Sequence, residues 1–191
     1  MEKPSYNLIA GINGAGKSSF YSYLNERDRN DLGCRINYDE MFVKYGNELE
    51  AGIKCIKLTK KYLNERTTFH QETTLTGHTI FNNISLSREL GYKIVLHYIG
   101  VASCDIAIAR VQQRVLDGGH DIPTEDIIRR YQKSLDNLCK TMSISDDIYI
   151  YDNTKSFKQI LTIRNNRFVH IDRKMPKWFL PSLLEYVNYK I

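Results

Sequence analysis

Gly11-Ile12-Asn13-Gly14-Ala15-Gly16-Lys17-Ser18 has the spacing G-x-x-x-x-G-K-[ST] of a phosphate-binding loop. Its glycines let the backbone curl so that successive N–H groups face an anion. Lys17 is placed to reach the β- and γ-phosphates, and Ser18 to offer a hydroxyl to Mg²⁺. The helix that starts here adds unpaired N–H groups and the positive end of its dipole. The apolar run Tyr6-Asn7-Leu8-Ile9-Ala10 before the loop reads as a buried strand, and Phe20 and Leu24 after it share one helix face. Strand, glycine loop and helix are the setting this motif needs. Gly11, Asn13, Gly14, Ala15, Gly16, Lys17, Ser18 and Ser19 are therefore the candidate nucleotide contacts, with ATP and Mg²⁺ as the implied cofactors.

Outward from the loop, apolar strand-like runs alternate with helix-like runs, the pattern of a parallel sheet with crossover helices. Strands are expected at Cys34–Asn37, Thr67–Gln71, Lys93–Ile99 and Asp147–Tyr151. A long helix is expected from Asp39 to Glu65, with Gly46 and Gly52 as points of interruption. Further helices are expected over His78–Leu90, Asp105–Leu116 and from Pro123 to Met142. In the tail, Ile160–Arg164 and Phe168–Ile171 flank Asn165-Asn166, a hairpin turn, and a short helix follows Pro176 or Pro181. The fold class is α/β: a P-loop kinase-like parallel sheet flanked by helices, with a helical lid and a short C-terminal hairpin and helix. At 191 residues the whole chain, 1–191, is expected to form a single domain.

Composition sets outer bounds. The chain is 42% hydrophobic and 26% charged, ordinary for a globular protein. It contains no apolar stretch near the roughly 18 residues that cross a bilayer. Met1–Tyr6 lacks the shape of a signal peptide. Cys34, Cys55, Cys104 and Cys139 are scattered without a C-x-x-C pair, against a zinc site or a disulfide framework. A cytoplasmic location fits, since ATP and Mg²⁺ are found there. The net charge of +5 favours anionic ligands in general without establishing nucleic-acid binding. The dense basic stretch Lys57–Arg66 reads as a solvated helix face.

Ligands of open α/β sheets bind beyond the carboxyl ends of the strands, and three of those ends carry acids: Asp39, Glu72 and Asp152. Asp39 is the candidate base that orients an acceptor hydroxyl and takes its proton; its plainer alternative is a helix N-cap. Glu72, Thr73 and Thr74 put a carboxylate and hydroxyls where a sugar or nucleoside, or a hydrated Mg²⁺, would be met. Arg110 and Arg114 share one helix face. Arg129 and Arg130 lie on the next helix, across Gly118-Gly119-His120-Asp121-Ile122-Pro123. Two helices joined by a glycine-containing loop and carrying arginines have the shape of a lid, and such arginines can stabilise charge on a transferring phosphoryl group. The plainer alternative is surface pairing with Asp117, Glu125 or Asp126. His120 is read either as a phosphate contact or as a hydrogen-bond partner within the loop.

These residues, taken in order over roughly 6–155, resemble the zeta-toxin family of P-loop kinases, in its short branch often labelled a predicted ABC-type ATPase. The resemblance is carried by the phosphate loop, Asn37-Tyr38-Asp39-Glu40, Glu72-Thr73-Thr74-Leu75-Thr76-Gly77, Gly91-Tyr92, Arg110 to Val115, Gly118 to Pro123, Ile128 to Tyr131 and Tyr151-Asp152-Asn153. It implies an ATP- and Mg²⁺-dependent kinase acting on a hydroxyl of UDP-N-acetylglucosamine, and a small antitoxin protein as partner. Under it Lys17 and Ser18 take the ATP and metal roles, Asp39 the base and Glu72 a substrate contact. Arginines of the Arg110–Arg130 region, with Arg114 and Arg130 favoured, act on the phosphate. Two other readings remain open on the residues: a kinase for nucleosides or nucleic-acid ends, and a nucleotide-gated binding module without an acceptor.

Overall fold

The computed structural model describes residues 3–24 and 26–190. Seven strands form one sheet in the order β2-β3-β1-β4-β5-β6-β7. The first five are β1 (Ser5–Ala10), β2 (Cys34–Ile36), β3 (Phe69–Thr73), β4 (Lys93–Gly100) and β5 (Asp147–Asp152), all parallel to one another. β6 (Lys158–Arg164) and β7 (Arg167–Ile171) are antiparallel. The expected C-terminal hairpin extends the sheet from β5. The few residues between β5 and β6 are too short for a crossover helix, so the chain can only return antiparallel. Asn165 and Asn166, at φ 49° and 59°, make a turn of the kind whose twist matches two-residue hairpins.

Helices cover both faces. α1 (Lys17–Tyr23), α2 (Glu26–Asp31) and α6 (Cys104–Leu116) lie on one side, and α4 (Glu48–Asn64), α5 (His78–Glu89) and α8 (Leu180–Lys190) on the other. The long α7 (Thr124–Ser143) contributes to both. β1 shows why two cores arise. Tyr6, Leu8 and Ala10 alternate onto the first face, where they join Leu96, Leu138, Met142 and Phe179. Ile9 enters the second, with Phe20, Ile99, Val111 and Ile127. Among the described residues no helix is long and apolar enough to cross a membrane.

The helix expected over 39–65 is two. α3 (Tyr38–Tyr45) ends at Gly46, φ 67°, a left-handed cap that glycine adopts without strain. Asn47 then accepts from the backbone N–H of Leu49 and Glu50 at 2.9 and 3.2 Å and starts α4. Gly52 lies inside α4 without breaking it. α2 is a further short helix between α1 and β2, beyond those expected.

Two buried histidines make stability depend on pH. His70 and His97 are held near pKa 4, below the ordinary 6.5, in both cases chiefly because burial disfavours the imidazolium. His97 stacks on Tyr149, ring centroids 4.9 Å apart. Between pH 6.5 and 4 the unfolded chain binds protons that the folded chain excludes. The contribution is therefore whole above pH 6.5 and is lost as pH falls towards 4. Thermal melts across this window are expected to show it. His97→Phe should flatten the dependence of stability on pH by up to about 1.4 kcal/mol per pH unit; an unchanged slope contradicts the assignment.

Candidate active site

The phosphate loop joins β1 to α1 where the strand order reverses, with β3 on one side of β1 and β4 on the other. All three of its glycines are forced, Gly11 (φ 142°) by the Ile99 carbonyl oxygen, 2.3 Å from where a Cβ would stand. At Gly14 (φ 79°) a Cβ would come within 2.3 Å of the Ala107 carbonyl oxygen, and at Gly16 (φ 100°) within 2.4 Å of Asn153 Nδ2. α6 and the end of β5 thus press the loop from behind. The Asn153 amide donates to the Ala15 carbonyl at 2.9 Å, and Gly11 N–H donates to the Thr73 carbonyl at 3.1 Å. Lys17 Nζ donates to the Ile12 carbonyl at 3.0 Å, folding the side chain back over the loop.

A cleft of about 850 Å³ opens above the loop. Of the expected contacts, Asn13, Gly14, Gly16, Lys17, Ser18, Ser19, Asp39, Glu72, Thr73, Thr74, Arg110, Arg114, His120 and Arg130 all line it. Gly11 and Ala15 are buried behind it and shape the loop through their backbones. Asp152 does not reach it. Expected on the same rim, its carboxylate turns instead to Trp178 Nε1 at 3.0 Å and the Thr154 hydroxyl at 2.6 Å. The indole N–H, far from the loop in sequence, needs a buried acceptor and takes this one.

One wall is cationic. From α6, Arg110 donates to the carbonyls of Asn153 and Thr154 at 2.8 and 3.3 Å, and Arg114 to the His120 carbonyl at 2.6 Å. From α7, Arg130 reaches Asn13 Oδ1 at 3.0 Å and Asp126 Oδ2 at 3.1 Å. Arg129, one residue away, points outward with its side chain 70% exposed and pairs with Asp126 at 2.5 Å. The turn of α7 separates the two neighbours, and it is Arg130, the one favoured from the sequence, that lines the cleft. His120, at the tip of the loop between α6 and α7, meets the ring of Phe42 on α3, centroids 5.2 Å apart.

The opposite wall is acidic and neutral-polar, and Asn37 organises it. Asn37 caps α3, its Oδ1 accepting from the N–H of Asp39 at 2.9 Å and of Glu40 at 3.4 Å. Asp39 is therefore not the cap; it sits in the first turn, exposed on the cleft. Asn followed three residues later by Glu is a capping-box pattern, a signal present in the sequence that would have found Asn37. Gln71, Thr79 and Asn83 complete this wall; they stand in ordinary strand and helix patterns that mark them in no way.

The site suits a nucleoside triphosphate. Arg110 Nη1 and Arg114 Nε are buried without a hydrogen-bond partner among the described residues. Buried donors of this kind ask for an acceptor, and phosphate oxygens are the acceptors that guanidinium groups match. Burial pushes the Lys17 ammonium below its ordinary pKa; Glu72 and Asp39 oppose this, while Arg114 and Arg130 add to it. An anion in the cleft relieves all of these cations together.

No family model matches the chain. An uncharacterized protein of Haemophilus influenzae is 32% identical to it over 127 residues, covering 64% of this chain and 88% of that protein. Among solved structures, the AvrRxo1-ORF1:-ORF2 complex with ATP superposes with a TM-score of 0.68 at 12% identity, over 96% of this chain and 64% of that one. This chain thus spans under two thirds of that protein's length. A structure from the PezAT chromosomal toxin-antitoxin system of Streptococcus pneumoniae superposes with a TM-score of 0.60 at 17% identity, over 98% of this chain and 85% of that one. At these identities the likeness is one of fold: the α/β fold of zeta-toxin-like P-loop kinases.

Proposed function

We infer, for a chain that belongs to the family of the Haemophilus influenzae protein and has the fold of zeta-toxin-like P-loop kinases, that it is an ATP-dependent phosphotransferase. Its acceptor is a hydroxyl of a nucleotide sugar such as UDP-N-acetylglucosamine. The observation that carries the reading is the facing of two walls across one cleft: Lys17, Arg110, Arg114 and Arg130 on one side, the exposed Asp39 on the other. The loop N–H groups and Lys17 hold the phosphates. Ser18 would offer its hydroxyl to Mg²⁺, which when bound would supply positive charge against the phosphates. Asp39 accepts the proton of the acceptor hydroxyl as its oxygen attacks the γ-phosphorus. The bond to the β–γ bridging oxygen breaks, and ADP leaves. Arg114 and Arg130 stabilise the charge on the equatorial oxygens.

The reading includes one domain over 1–191, a cytoplasmic location and a small antitoxin protein that covers the cleft. Incubation with ATP, Mg²⁺ and a panel of nucleotide sugars, followed by mass spectrometry, tests it. One added phosphate on UDP-N-acetylglucosamine or a relative is expected, and none with Lys17→Ala. Intact ATP binding without transfer to any sugar overturns the acceptor assignment.

A further inference from the structure

Glu72 ends β3, the strand beside β1, and both its oxygens are spoken for. Oε1 accepts from Arg35 Nη2 at 2.7 Å and from Asn37 Nδ2 at 2.9 Å. Oε2 is left facing the Ser18 hydroxyl at 3.4 Å. The Glu72 side chain is only 8% exposed, so its charge is balanced by Arg35 more than by water. Arg35 itself is fixed on three sides. Its other terminal nitrogen, Nη1, pairs with Glu40 of α3 at 2.9 Å, and its guanidinium lies over the Tyr21 ring of α1, 4.8 Å from the centroid.

The direction of one proton follows. A serine hydroxyl has one proton and two lone pairs. A proton aimed at a dication is repelled; a proton donated to a carboxylate leaves the lone pairs free. Glu72 Oε2 is placed to take the Ser18 proton, which turns the lone pairs of Ser18 towards the cleft.

We propose that Arg35 is a positioning residue: with Asn37 it clamps Glu72 so that Glu72 orients Ser18 towards a divalent cation. This rests on the phosphotransferase reading and moves Glu72 from the acceptor wall to the metal side of the cleft. Arg35 also ties in α3 through Glu40, and Asn37 caps that helix. The base candidate Asp39 and the metal-side Ser18 are therefore set relative to each other from one end of β2.

The test reads metal binding rather than transfer. Mn²⁺ affinity is measured by electron paramagnetic resonance on the full chain with a non-hydrolysable ATP analogue, and nucleotide affinity is measured separately in EDTA. Arg35→Ala is expected to weaken Mn²⁺ by about 10- to 100-fold, the usual effect of losing a group that orients a ligand, with nucleotide affinity in EDTA unchanged. Arg35→Lys keeps the charge but not the two-pronged donor, and should recover part of the loss. Glu72→Gln, isosteric and free of the charge, should weaken Mn²⁺ as Arg35→Ala does, and it decides the matter should Arg35→Ala fail to fold. Equal Mn²⁺ affinity in wild type and these variants overturns the clamp while leaving the phosphotransferase reading standing. Wild-type protein that binds no nucleotide overturns that reading, and the clamp with it.

Discussion

Arg130→Ala is expected to slow phosphoryl transfer by about 10³-fold or more, the scale of an arginine that meets the transferring group. Arg130 is held between Asp126 and Asn13 of the phosphate loop, so its guanidinium is already at the loop before any substrate arrives. Little reorganisation is then needed when charge develops, which is what makes such donors effective. The loss should fall on kcat more than on the KM for ATP, because the loop N–H groups and Lys17 still hold the ground-state phosphates. Arg130→Lys should restore little, since a point charge does not replace a planar fork. Arg129→Ala is the matched control: its side chain is largely solvent-exposed and its removal should leave kcat unchanged. Comparable rates for Arg130→Ala and Arg129→Ala would show that α7 serves the fold and not the reaction.

Asp39→Asn is expected to reduce kcat by about 10²- to 10⁴-fold, the range for a positioned general base. Asparagine keeps the shape of the side chain and cannot take the proton. The start of α3 should survive, because Asn37 and not Asp39 supplies the cap. Nucleotide binding should also survive, because the loop N–H groups and Lys17 hold the phosphates. The informative readout is a pair: full affinity for a fluorescent ATP analogue alongside slow transfer in single-turnover measurements. Full transfer by Asp39→Asn would remove the base from this position and direct attention to Glu48, the next carboxylate along the same wall.

Much of the cleft could be read before the fold was known, for reasons that differ from residue to residue. The phosphate loop is legible because eight consecutive residues do its work, and glycines at positive φ leave a plain mark. Asp39, Glu72 and the arginines could be nominated because strand ends and helix faces follow from period and spacing alone. Of the two interruptions expected in the 39–65 helix, Gly46 is a break and Gly52 is not, and only the cap formed by Asn47 decides where the second helix starts. Asp152 was nominated by the same rule as Asp39 and was diverted, because Trp178 packs beside Gly100 and its N–H needs an acceptor.

What the sequence determined by itself is local. Strand, loop and helix around Lys17, the cap that opens α3 and the Asn165-Asn166 turn each depend on backbone preferences within a few residues. Those preferences act whatever the rest of the chain does. What only the tertiary structure decided are pairings between distant segments. Arg130 and not Arg129 meets Asn13, 117 positions away. Arg35 holds Glu72 across 37 positions. β6 and β7 join the sheet instead of standing apart. Each of these is a choice among several partners of suitable chemistry. It is settled by which groups the packed sheet and helices bring within hydrogen-bond reach, and by the cost of leaving a buried donor or charge without a partner.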